Sequence, residues 1–130
     1  MKENFESVIE PANRFDVIPG LEKLEQRVRD QIITIKDIIV KTIPVECIYL
    51  FGSYAYGVPN EDSDIDLFVV MDDDAPYEAI EAEVMIHHAM YGKKSMPTDI
   101  LVNKNSRFQY RKTGPTLEQE VAEKGIIIYE

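Results

Sequence analysis

The run Leu67-Phe68-Val69-Val70 is apolar without a break, opened by Asp64-Ile65-Asp66 and closed by Asp72-Asp73-Asp74. A strand with one wet face alternates apolar and polar residues, whereas an unbroken run needs cover on both faces. The fold must therefore place a sheet between packed layers. Three other short apolar runs read as strands: Ile48-Tyr49-Leu50-Phe51, stopped at Gly52; Ile100-Leu101-Val102, opened by Asp99; and Ile126-Ile127-Ile128-Tyr129. Between them lie helical patterns. Leu21, Leu24, Val28, Ile32, Ile35 and Ile39 recur in steps of three and four, and Pro44 ends that helix. Ala75 to Tyr91 reads as a second helix, with Tyr77, Ile80, Val84 and His88 on one side. Pro115 to Lys124 reads as a third, stopped by Gly125.

Strands alternating with helices over 130 residues predict one α/β domain, a small sheet flanked by helices. Short strand-to-strand connections would make that sheet mixed, and its order stays open. Ile18-Pro19-Gly20 forms a natural break, so residues 1–19 read as an N-terminal extension and residues 20–130 as the domain.

The balance of 14 basic against 24 acidic residues gives a formal charge of −10. A field of that sign repels phosphate backbones and argues against general nucleic-acid binding. A polyphosphate substrate remains compatible with it, provided metal ions bridge the charges. The first residues, MKENFESVIE, lack the basic and apolar regions of a signal peptide, and no apolar stretch is long enough to span a bilayer. A soluble cytoplasmic protein without membrane partners is expected. The single cysteine, Cys47, cannot form an internal disulfide and reads as a small packed residue of a strand. Lys104, Arg107, Arg111 and Lys112, interleaved with Phe108 and Tyr110, read as a solvated loop edge. His87-His88 has no acid or cysteine at ligand spacing and reads as a packed or surface pair.

The chemistry concentrates elsewhere. Residues two apart on a strand share a face, so Asp64 and Asp66 place two carboxylates side by side. Such a pair is unfavourable unless a cation sits between its members. Hard divalent cations fit that need, and Mg²⁺ usually takes only one or two carboxylates together with substrate phosphates. Directly after the preceding strand, Gly52 lets the backbone turn and approach a ligand, and Ser53 is placed to cap the turn and face a phosphate oxygen. Asp99 again puts an acid at the mouth of an apolar run. If its strand neighbours that of Asp66, the three acids can hold two metal ions about 3.5–4 Å apart, and Asp99 can also accept the attacking proton.

Gly52-Ser53-Tyr54-Ala55-Tyr56-Gly57, followed by Ser63-Asp64-Ile65-Asp66-Leu67, resembles the signature of the polymerase-β-like nucleotidyltransferase superfamily. It is most similar to the minimal nucleotidyltransferase branch, whose pattern is Gly-Ser, ten residues, then Asp-x-Asp; here the ten run from Tyr54 to Ser63. The ending Glu118 to Glu130 also resembles the tail of that domain. The resemblance implies a polymerase-β-like fold, a nucleotide site at Gly52, Ser53 and Ser63, and Mg²⁺ ligands at Asp64, Asp66 and Asp99. It implies transfer of a nucleoside monophosphate, AMP from ATP or another triphosphate, to a hydroxyl acceptor with release of pyrophosphate. It further implies a HEPN-domain partner, with the acceptor a tyrosine of that toxin and this chain the antitoxin. Tyr56 departs from the arginine that many members carry there, which removes a bidentate phosphate contact. A weakly catalytic binding module and a small-molecule nucleotidyltransferase are the alternatives.

Overall fold

The stripe from Leu21 to Ile39 becomes helix α1 (Gln26–Thr42) in the computed structural model, which describes residues 18–130. Apart from Ile18 and Pro19, the extension expected over residues 1–19 lies outside the described residues. Val28, Ile32, Ile35 and Ile39 are buried along one face of α1. Leu21 and Leu24 are buried too, but in the turns that precede the helix, where the Leu24 N–H donates to the Leu21 carbonyl at 3.0 Å. The apolar stripe thus continues past the helix because the entering chain folds under it, so the helix begins later than its pattern predicts.

Four strands follow: β1 (Val45–Phe51), β2 (Ile65–Met71), β3 (Thr98–Lys104) and β4 (Ile126–Tyr129). They form one sheet in the order β3-β2-β1-β4. β1 runs antiparallel to β2 and to β4, while β2 and β3 are parallel, so the sheet is mixed as expected. A parallel pair needs a crossover, supplied here by α3 (Ala79–Met90). The short α2 (Ser53–Tyr56) lies between β1 and β2, and α4 (Asn105–Arg111) and α5 (Leu117–Lys124) lie between β3 and β4.

Each sheet face carries its own core. Ile48, Leu50, Leu67, Val69, Ile100 and Val102 point to one face and pack with the buried residues of α1 and α3. Phe51, Phe68 and Val70 point to the other and pack with Phe108 of α4 and Val121 of α5. Leu67 to Val70 are each at most 2% exposed, which fulfils the two-sided cover their sequence demands. Cys47 is half-buried against this second core.

Two expectations need correction. The segment from Lys104 to Lys112 is not a loop edge but contains α4, with Phe108 buried between Tyr49 and Phe68 at ring-centroid distances of 5.6 and 5.4 Å. A helix of seven residues with one buried apolar side chain leaves no 3.6-residue period to read. Its start is held by Asp73, whose Oδ1 accepts from the Ser106 N–H at 2.9 Å. Of its basic residues, Arg111 pairs with the buried Glu118 at 3.1 Å and Lys112 lies over the Phe108 ring at 5.9 Å. Glu118 is completed by the Asn103 amide, which donates to it at 2.8 Å.

The second correction concerns α3, which starts at Ala79 behind a reciprocal Glu78–Glu81 capping box rather than at Ala75. Its buried face is Ala82, Ile86 and Met90, whereas Ile80 and Val84 are 66% and 63% exposed. The helix carries apolar residues on several sides, so its sequence leaves the inward face open and docking on the sheet decides it. Val84→Ala is accordingly expected to change stability by no more than about 0.5 kcal/mol. Ile86→Val should cost about 1 kcal/mol, and thermal unfolding of the two variants distinguishes these faces. His87 and His88 are both exposed, as a surface pair should be. Among the described residues, no helix is long and apolar enough to cross a membrane.

Candidate active site

Strand register brings the predicted acids together. Asp66 of β2 lies directly beside Asp99 of the parallel neighbour β3, and Asp64, two residues earlier and just outside the strand, is near enough for its charge to act on Asp66. The end of β2 is anchored to the chain leading into β3, since the Ile65 N–H donates to the Pro97 carbonyl at 3.0 Å. Gln31 of α1 fixes that connection from below: its side-chain oxygen accepts from the Ser95 hydroxyl at 3.0 Å and the Met96 N–H at 3.1 Å. On the other flank, Asp66 faces Phe51 of β1, and the next residue is Gly52.

Gly52 is needed for two reasons. Its φ of +75° lies in the left-handed region that disfavours side chains. A Cβ there would also sit 2.3 Å from Asp66 Oδ2, so its missing side chain is the space the carboxylate occupies. Gly57, which closes α2, is similarly pressed, with a Cβ position 2.8 Å from Ser53 Cα. Ser53 does not cap the turn as expected. Gly52 is the N-cap of α2 and Ser53 is its first helical residue, making no side-chain cap bond. The N–H groups of Ala55 and Tyr56 donate to the Gly52 carbonyl, whereas those of Ser53 and Tyr54 are the orphan donors of a helix start. Ser63 closes the turn before β2: its hydroxyl oxygen accepts from the Asn60 N–H at 2.9 Å, and its own N–H donates to the Asn60 carbonyl at 3.0 Å.

The electrostatics follow from this packing. Asp66 is pushed up to about 6, first by burial and then by the negative charges of Asp99 and Asp64. Among the described residues, no three His, Cys, Asp or Glu side chains form a ready-made metal cage. The donor set nevertheless fits a hard divalent cation. Its carboxylates supply oxygen ligands, their mutual repulsion is what a cation relieves, and Mg²⁺ completes its shell with water and phosphate oxygens.

One contact had no signal in the sequence. The Tyr56 hydroxyl donates to Glu120 Oε2 across 64 residues of chain. Burial and the bond to Glu120 push the Tyr56 phenol up, and Asp66 adds to the rise. Tyr56 is therefore held by α5 at the border of the acid cluster. The two residues are too far apart in the chain for any spacing rule to link them.

Comparison with known proteins identifies the family and the fold. The family model described as polymerase beta, nucleotidyltransferase, matches residues 33–130, and the chain belongs to that family. A crystal structure of a Sulfolobus solfataricus protein provisionally designated a nucleotidyltransferase aligns with a TM-score of 0.53 and 19% identity. The alignment covers 85% of this chain and 93% of that one. A structure described as a toxin–antitoxin with AMP-PNP aligns at a TM-score of 0.46 and 24% identity, over 74% of this chain and 70% of that one. No curated protein matches the chain. Among the described residues, the mixed four-stranded sheet flanked by five helices is the polymerase-β-like nucleotidyltransferase fold.

Proposed function

We propose that the protein is an Mg²⁺-dependent nucleotidyltransferase that moves a nucleoside monophosphate, AMP from ATP, onto a hydroxyl acceptor. The observation that carries this reading is the lateral pairing of Asp66 with Asp99, with the charge of Asp64 close by. Asp64 and Asp66 hold the divalent metal together with Asp99. When bound, the metal neutralises phosphate charge and makes the acceptor hydroxyl easier to ionise. The Ser53 N–H and hydroxyl hold phosphate oxygens over the bare Gly52 backbone, and the Ser63 hydroxyl proton remains available to a further one. Asp99, the most exposed of the three acids, takes the acceptor's proton. The acceptor oxygen forms its bond to the α-phosphorus as the bond to the pyrophosphate oxygen breaks, and pyrophosphate leaves with the electron pair.

The acceptor we favour is a tyrosine of a HEPN-type toxin, which would make this chain its antitoxin. The motif resemblance supports that choice. Incubation with α-labelled ATP, Mg²⁺ and a candidate HEPN protein is expected to label a partner tyrosine. If the partner is bound tightly but no nucleotide transfers label under any condition, a binding module is the correct description. Label on an added small hydroxyl compound instead would reassign the acceptor.

A further inference from the structure

The acid cluster is strongly negative, and a triphosphate brought to it adds more negative charge, so the position of the nearest protein cation matters. Several basic side chains are committed elsewhere. Lys104 lies 3.7 Å from Glu78, and Arg111 pairs with Glu118. Lys124 is placed differently. It is the last residue of α5, and the following strand begins with Ile126 paired to Leu50, two residues before Gly52. Gly125 allows this close seating, since a Cβ there would lie 3.2 Å from the Leu50 carbonyl oxygen. The end of α5 is thus pinned at the level of Leu50 and Phe51, the residues opposite Leu67 and Asp66. Lys124 is exposed, makes no ion pair with a described carboxylate, and holds its ammonium 5.9 Å from the centre of the Tyr56 ring. Glu120, one turn earlier on α5, takes the hydroxyl of that same ring. Two residues of α5 therefore fix Tyr56, one at its hydroxyl and one over its face, and the ring in turn supports the lysine stem beside α2.

We propose that Lys124 is the phosphate-binding cation of this site, reaching the terminal phosphates of a triphosphate seated over Gly52 and Ser53. Tyr56 and Glu120 are the positioning residues that hold it there. The inference rests on the triphosphate reading of the acid cluster. A lysine serves as a mobile point charge, which suits phosphates that enter and leave as pyrophosphate. It also gives preference for a triphosphate over a monophosphate, because the terminal phosphates are what it contacts.

The test uses the full chain with Mg²⁺, measuring the affinities of ATP and AMP separately. Lys124→Ala is expected to weaken ATP about 10- to 100-fold, the loss of one charge-assisted contact. It should leave AMP affinity and the thermal midpoint unchanged. Lys124→Arg should stay within a few-fold of wild type. Tyr56→Arg in the Lys124→Ala background should recover ATP affinity, because a guanidinium at position 56 borders the same space. Equal ATP affinity in Lys124→Ala and wild type overturns the assignment, while the triphosphate reading stands. Failure of the wild-type protein to bind ATP at all overturns both.

Discussion

Replacing Asp64 and Asp66 together by alanine is expected to lower nucleotidyl transfer by at least ~10³-fold while leaving a folded protein. On the proposed reading their loss removes several kcal/mol of charge stabilisation from the reacting phosphate, and each 1.4 kcal/mol is about tenfold in rate. A single-turnover assay with labelled ATP measures this loss, and a rate within tenfold of wild type would remove both residues from the chemistry. Stability should move the other way. Asp66 holds its proton more tightly in the fold than in the unfolded chain, where an aspartate titrates near 4. Between about pH 4 and 6 the folded state binds the extra proton, so this group's contribution to stability falls as pH rises. Above 6 the full penalty stands. A rise of that size corresponds at most to about 3 kcal/mol, and screening at this solvent-facing site reduces it to about 1 kcal/mol. Asp66→Asn should therefore raise the melting temperature of the metal-free protein by a few degrees at pH 7, with no gain at pH 4. Added Mg²⁺ should stabilise wild type and have no such effect on the variant. Activity of wild type should decline as pH falls below about 6, and more metal should shift that decline to lower pH.

Gly52→Ala is the second change with a large expected effect, and it acts through the same carboxylate. The positive φ alone costs about 1–2 kcal/mol for a residue with a Cβ. The new methyl would also meet Asp66 Oδ2 at 2.3 Å, so either the backbone turn or the carboxylate must move. A displacement on the order of 1 Å at a reacting centre can cost about 100-fold. Transfer is expected to fall by that much or more, with a melting temperature lowered by several degrees. Restored activity in Gly52→Ala with Asp66 intact would show that the close approach is unimportant. Gly114, where an added Cβ meets nothing within 4 Å and φ is not positive, is the matching control, and its alanine variant should retain full activity.

Much of this arrangement was legible because its pieces are local. Ile126 to Tyr129 forms a strand over the range its apolar run marks, and the continuous run in β2 announced cover on both faces. The acids of β2 and β3 could be named from their places at the mouths of apolar runs, with one condition left open: that the two strands be neighbours. Only register settles that, and register is set by packing across the whole sheet. What stayed hidden was hidden for identifiable reasons. α4 is too short to show a period, and Phe108 looked like a member of a basic surface patch because its burial comes from Tyr49 and Phe68, residues far from it in sequence. The apolar content of α3 did not distinguish Ile86 from Val84. The Tyr56–Glu120 bond joins the first and last thirds of the domain, beyond the reach of any local rule.

The parallel pairing of β2 with β3 also governs when the protein becomes competent. Asp66 and Asp99 come from strands separated by the whole α3 crossover, so no hairpin or other short-range unit contains both. Joining them requires the long loop to close, one of the slower kinds of contact for a chain to make. Without β3 the acid of β2 would have no counterpart, and without α5 Tyr56 would have no tether. On the proposed reading, transfer needs both strands in place, so activity is expected only of the finished domain.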